Sequence, residues 1–538
     1  MKSLKKYSAV LLLLLFGLGC KKAIQLAPFN SVPSTEAFST AAKCLTSLNG
    51  VYDAAQSGAY TDGTIRGYPF GAANIEQGDA RGEDVINIAA FFQVTYQATY
   101  NSTAANVVGH WNALYALINK ANISIDGFRD ATLKGILAPS VGLQYEAECR
   151  FLRAMSHHEL MLMWARPYLD GNGSQLGIPY RDFAVSDLAA VERVRTLPRD
   201  RSDTVYKRIL RDLDYAETNL PAAPQLLAPL TTADKPVRAT KAAAIALKMR
   251  VKMHMGDWTG VLAEGNKLIP AVLTPLNPAG VISPIGSWAL TPSPDGPFTN
   301  NASTENIFSI RNKDIDNTGV NGALPAMLGA ANLGARGLVA VSPILWNNTG
   351  WRCDDTRRSL LYVSGTNANN GTSLFTTKYR DYVNRSDFAP QIRYAEVLLM
   401  QAEAEARVSG AVTQRSVDLL NMVRNRAIPL PATNQYVIAN FATVVDLIKA
   451  ILFERRIEFL FEGKRWPDIS RLAMEPNYTT NGIPAKMANG AQGAALYGCG
   501  TPVTTGQAAI PYADYRFIWP IPNDEIVQNP IISQNSGY

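Results

Sequence analysis

Apolar residues recur at helical spacing over several long stretches of this chain. Between 31 and 55, Leu45, Leu48, Val51 and Tyr52 follow Ser34 and Thr35, either of which can cap a helix. Trp111, Leu114, Tyr115, Ile118, Ala121 and Ile125 make one face of a second helix. The run 145–164 is apolar nearly all round, yet Arg150, Arg153, His157, His158 and Glu159 interrupt it, so it reads as a central core helix rather than a membrane span. At 202–220, Val205, Ile209, Leu213, Ala216 and Leu220 line up ahead of Pro221. Further helices are predicted over 239–255, 394–408, 416–427 and 444–461. The pattern is a mainly α scaffold over about 35–57, 106–270 and 388–472. Trp111-x2-Leu114-Tyr115 and the repeated alanines suggest tetratricopeptide-type helix pairs.

Between these stretches the periodicity dissolves. Residues 58–105, 271–387 and 473–538 are rich in Gly, Asn, Asp and Pro, with few short strands such as 307–310. Irregular insertions of this length in a compact protein usually carry function.

One segment breaks both patterns. From Glu454 to Arg465 seven charges (Glu454, Arg455, Arg456, Glu458, Glu462, Lys464, Arg465) alternate with Ile457, Phe459, Leu460 and Phe461. That alternation is too fine for a helix with one wet face. It predicts a helix packed on several sides, ending near Gly463, with its arginines and glutamates pairing to each other or to neighbours. The segment ERRIEFLFEGKRWPDISRL resembles the signature of the SusD/RagB family. RYAEVLLMQAEAEA (393–406), FIWPIPNDEIVQNP (517–530) and the opening 31–55 resemble that family's other segments, in the right order. The resemblance implies a single SusD-like domain over 35–538 on a tetratricopeptide-type scaffold. It also implies a glycan-binding role beside a SusC-like TonB-dependent transporter in the outer membrane.

The N-terminus fits that location. Residues 1–19 have a basic start and an apolar core like a secretory signal, and Cys20 stands where lipid would be attached. Residues 20–34 then read as a tether, although Lys21 and Lys22 stand where surface-displayed members often have acids. Export permits disulfides. Cys353 and Cys499, both in loop-like sequence, are the expected pair, while Cys149 reads as a buried apolar residue. Composition adds little: 47% hydrophobic and 18% charged residues describe a globular protein. The formal charge of +6 falls to +3, 48 basic against 45 acidic residues, once Lys2, Lys5 and Lys6 of the signal are taken off. That is too little for nucleic acid.

Catalytic motifs do not emerge. Gly171-x-Gly173 does not continue as a dinucleotide fingerprint, His157, His158 and Glu159 lack a further ligand at metal spacing, and no calcium-loop spacing occurs. No cofactor is therefore expected, and no metal-ligating residues are assigned. Glu454 and Glu458, one helical turn apart, raise the alternative of a secreted glycoside hydrolase. The neighbouring arginines would hold both ionised, which favours a structural ion-pair network. A purely structural partner of the transporter is a further alternative. What remains is loop aromatics, whose rings can stack on sugar faces. The ligand-binding candidates are Tyr68, Phe70, Tyr96, Trp288, Trp346 and Trp351, with Asn347, Asn348, Arg352 and Asp354 as polar partners. Tyr60, Tyr100 and Phe298 lie in the same loops. For each ring the alternative is that it pins its loop to the helices.

Overall fold

The computed structural model describes residues 34–57, 66–227 and 230–538. The signal segment, Cys20, the tether up to residue 33 and Tyr60 lie outside the described residues. The scaffold begins with α1 (Ala41–Gln56), capped by Thr40, whose hydroxyl accepts from the Lys43 amide. After a short α2 (Ala72–Ala80) come α3 (Ala105–Leu133), α4 (Pro139–Trp164), α5 (Ser202–Asn219), α6 (Lys241–Met255) and α7 (Trp258–Leu268). The second half adds α8 (Tyr394–Ser409), α9 (Gln414–Arg424), α10 (Val444–Glu458) and α11 (Arg465–Arg471).

The helices stack largely in chain order. α1 packs on α3, α3 on α4, and so on through α8, which takes both α9 and α10. α4 sits in the middle and is buried on nearly every side, as its all-round apolar sequence requires. α6 contributes Ala242, Ala243, Ala244 and Ala246, all buried, and their small side chains let its neighbours approach closely. The break between α6 and α7 is local chemistry. Gly256 takes φ +72°, and the Asp257 side chain then accepts from the Gly260 amide to start the next helix. Among the described residues no helix is long and apolar enough to cross a membrane.

Strands are few and paired in twos: β1 (Val85–Asn87) with β3 (Val339–Val341), β2 (Asn306–Ile310) with β6 (Ala389–Arg393), β4 (Tyr362–Thr366) with β5 (Thr372–Thr376), and β7 (Gly482–Ile483) with β8 (Ile510–Pro511), all antiparallel. The strand expected at 307–310 is β2.

The irregular regions differ from expectation in one respect: much of them lies inside. Residues 66–100 carry α2 and β1 and fill the space beside the corner between α10 and α11. Arg81 is fully buried there, its guanidinium 3.5 Å from the Trp466 ring centre. Gly78 of α2 meets Gly463 so closely that a Cβ would lie 2.5 Å from the Gly463 carbonyl oxygen. An alanine in a helix normally stabilises by about 1 kcal/mol over glycine. Here backbone faces backbone and cannot yield. We expect Gly78→Ala to destabilise by about 2 kcal/mol, in the range of overpacking, whereas Gly50→Ala in α1, with nothing within 4 Å of the new Cβ, should be neutral or stabilising. Urea titration of both variants checks this; equal midpoints would show that the contact relaxes.

The closing segment returns to the centre. The Trp519 amide donates to the Met163 carbonyl at 2.9 Å, and Trp164 Nε1 donates to the Pro520 carbonyl at 2.8 Å. The Asn535 side chain donates to the carbonyls of Trp164 and Trp519 at 2.9 and 2.7 Å.

Candidate functional site

The charged segment forms the core of a buried ionic network. α10 ends at Glu458, three residues short of the expected 461, because Phe461 takes φ +64° and Gly463 φ +71° to turn the chain into α11. Around that turn, Arg393 donates to Glu458 at 2.9 Å and to Glu462 at 2.8 Å, and also pairs with Glu305. Arg426 joins Glu305 to Glu458. Arg357 reaches Asp355 and Glu454, both at 2.7 Å, and Glu458 at 3.0 Å. Lys378 closes the set on Glu462 at 2.6 Å. All of these side chains are buried.

Of the two pairings the sequence left open, the arginines of this helix take neighbours on other elements. Arg455 goes to Asp468 at 2.8 Å and Arg456 to Glu83 and Asp84. Arg455 stands one turn from Glu458, within reach on the helix surface, yet it turns to Asp468, and the glutamates draw their cations from other elements.

This arrangement answers the hydrolase alternative. Burial alone would push Glu458 up, but Arg426, Arg393 and Arg357 outweigh it and hold its carboxyl well below the usual range. Glu454 moves the other way, raised by burial against the pull of Arg357, so the two acids are not shifted alike. A raised acid beside an ionised one is the pairing a glycosidase needs. These two, however, are only 4% and 3% exposed and already bonded to arginines, which leaves a sugar no place between them. They are structural.

The ring candidates are also corrected. Tyr68, Phe70, Tyr96, Trp288 and Trp351 are all buried, as are Tyr100 and Phe298. Tyr68 stacks on His110 and accepts from Gln77. The Tyr96 hydroxyl donates to the Met487 carbonyl at 2.8 Å. Trp288 packs beside the Lys235 ammonium. These rings pin their loops to the body, and buried faces cannot stack on a ligand. Asn347, too, is buried, holding residues 496–501 through the carbonyls of Leu496 and Thr501.

Trp346 alone of the six candidates remains half-buried. It ends a short helix, Pro343–Trp346, and stands edge-on to Trp351 and Tyr362 at 5.2 and 5.6 Å between ring centres. The Arg358 guanidinium lies 4.4 Å from its ring centre and donates to the carbonyls of Trp346 and Trp351 at 2.8 Å. Beside it, exposed Asn348 and the Arg352–Asp354 pair offer hydrogen-bonding groups. The Cys353–Cys499 disulfide, with 5.8 Å between Cα atoms, ties this surface to the C-terminal loop.

A cleft of about 250 Å³ adjoins this surface. Gly350 packs against the Phe453 ring, and Phe453 lines the cleft with Lys449, Leu452 and Arg456 from one face of α10, opposite Tyr478 and Thr480. The sequence expectation missed this set because it placed ligand-binding rings only in loops. The signal was present, since 449, 452, 453 and 456 share a face distinct from buried Leu447, Ile448, Ile451 and Glu454.

A braced, half-open tryptophan thus stands beside a surface cleft on the helical stack. The model of the SusD family matches residues 347–538, and a second, described as starch-binding associating with outer membrane, matches residues 39–253. SusD-like protein P38 of Formosa agariphila is 23% identical over the full length of both chains. SusD-like protein P2 of the same organism is 26% identical over 68% of this chain and 72% of its own. Among solved structures, a SusD superfamily protein from Bacteroides fragilis superposes with a TM-score of 0.72 at 24% identity, covering 92% of this chain and 99% of its own. Surface glycan-binding protein A from Bacteroides uniformis gives 0.66 at 19% identity, with the same coverage. This chain belongs to the SusD family.

Proposed function

We propose that this protein is a non-catalytic glycan receptor, held at the outer membrane through lipid on Cys20, which passes oligosaccharides to a SusC-like TonB-dependent transporter. The observation that carries the reading is the placement of Trp346. Its indole is braced by Arg358 and its surface crosslinked through the Cys353–Cys499 disulfide, yet the ring is still partly open beside Asn348, Arg352 and Asp354. A ring already fixed loses little entropy when a sugar stacks on it. The Phe453–Tyr478 cleft extends the surface to a second sugar unit. The family description and the glycan-binding neighbour support the ligand class and the membrane.

Affinity electrophoresis and calorimetry on a broad polysaccharide panel test this. At least one glycan should bind without release of reducing ends, and Trp346→Ala, shown by circular dichroism to be folded, should weaken it by about tenfold or more, about 1.4 kcal/mol. A protein that binds no glycan on the panel, or a variant that binds as tightly as wild type, would overturn the assignment. Co-purification with a transporter barrel tests the delivery step separately.

A further inference from the structure

A second cleft, of about 210 Å³, lies away from the ionic network, between α1 and β2. Its wall is apolar, built from Leu230, Val237 and Ile310, with Tyr52 beside them. Tyr52 is fixed through its hydroxyl, which donates to Glu148 at 2.7 Å and accepts from the Ala239 amide at 3.0 Å. Such a wall suits the C–H face of one small ring.

Its polar side is unusual in two ways. Ser309 lines the cleft, and its hydroxyl, fully buried, has no hydrogen-bond partner. Arg238 also lines it, with Nε and Nη2 spent on Glu148 while Nη1, likewise buried, has no partner. Because Glu148 already balances its charge, Arg238 needs a neutral acceptor such as a hydroxyl rather than an anion. The rim is acidic. Asp53 and Asp316 both border the cleft and both are exposed, and Asp316 raises the Asp53 carboxyl pKa in addition to the larger effect of burial. Lys120, 3.9 Å from Asp53, answers part of that charge. The cleft's other guanidinium, that of Arg311, is turned to Asp234 at 2.7 Å.

We propose that this cleft is a second ligand site, for a small hydroxylated cation of the amino-sugar class. The apolar wall takes the ring, the acidic rim takes the ammonium, and hydroxyls meet the orphan groups at Ser309 and Arg238. A neutral sugar lacks the charge the rim calls for, and an N-acetylated one has lost it. The inference does not rest on the Trp346 reading, since no residue is shared.

Saturation-transfer NMR and calorimetry on the full chain at pH 7, with glucosamine, glucose and N-acetylglucosamine, test it. Glucosamine should bind, and glucose and N-acetylglucosamine should bind at least about tenfold more weakly, a factor of about 1.4 kcal/mol. Asp53→Asn, at an exposed position where folding is safe, should lose glucosamine by a similar factor, and Val237→Trp should block the cleft. Trp346→Ala should bind glucosamine normally, which separates failure of one site from failure of the other. The proposal is overturned if wild type does not bind glucosamine, if glucose binds equally well, if Asp53→Asn leaves binding unchanged, or if calcium alone displaces the sugar.

Discussion

Replacing Arg393 by leucine is expected to cost this fold a large share of its stability. The arginine bridges Glu305, Glu458 and Glu462, all buried. Leucine fills part of the volume but removes one of the network's four cations, leaving Arg357, Arg426 and Lys378 among five buried acidic side chains, Glu305, Asp355, Glu454, Glu458 and Glu462. Removing one partner of a buried pair typically costs about 3–5 kcal/mol, and this side chain serves three. Against a usual domain stability of about 5–15 kcal/mol, the variant should be poorly soluble or melt at least about 10 °C lower. Arg415→Leu provides the contrast. Its pair with Glu405 is partly solvated, 28% and 20% exposed, and such pairs are worth about 0–1 kcal/mol. Equal melting temperatures for the two variants would show that the network is not what holds α8, α9 and α10 together.

Stability should also stay nearly level from pH 7 to about 4.5 and then collapse. The chain's four histidines are all buried. Burial lowers His110, His157 and His158 from 6.5 to about 3, and His254 well below 6.5. As pH falls below 6.5 each takes a proton only when unfolded, which removes up to about 1.4 kcal/mol per pH unit.

The raised carboxyls act oppositely, four of them strongly. Burial raises Asp79 and Glu159 to about 7, Asp387 to about 6, and Glu76 well above 4.5. Their protons are held by the fold and released on unfolding, so they gain stability as pH falls through the same interval. The two sets nearly cancel. Below about 4.5 the raised glutamates, and below about 3.8 the raised aspartates, are protonated in both states and their compensation ends. Glu396, held at about 2 because Arg250 and Lys464 outweigh burial, and Glu458 and Asp468, held lower still, then take protons only on unfolding. The histidines act in the same direction down to about 3. The slope should exceed about 5 kcal/mol per pH unit, enough to unfold the chain within about one to two units. Melting curves followed by circular dichroism from pH 7 to 3 check this. A steady decline beginning at pH 6.5 would mean that the raised acids do not compensate.

How far these features could be read from sequence depends on where their information lies. Helix α5 was legible because Val205, Ile209, Leu213 and Ala216 repeat with the period of a helix, and period is local. The ionic network was half legible. The close mixing of charge and apolar residues at 454–465 announced buried ions, but Glu458's partners, Arg357, Arg393 and Arg426, stand 32 to 101 residues away. The loops were least legible. Around Tyr68 and Tyr96 there is no period to separate an inner from an outer face, so glycine-rich sequence looks exposed whether or not it is. Phe453 was missed for the opposite reason, since a helical position reads as core until its face is checked.

The bonds from Trp519, Pro520 and Asn535 to Met163 and Trp164 join residues more than 350 positions apart. As the chain is synthesised, α4 therefore waits for its last neighbours until almost all of it has emerged. Until then the protein's middle lacks its lid, and the final locking of its core belongs to the last stretch of chain to emerge.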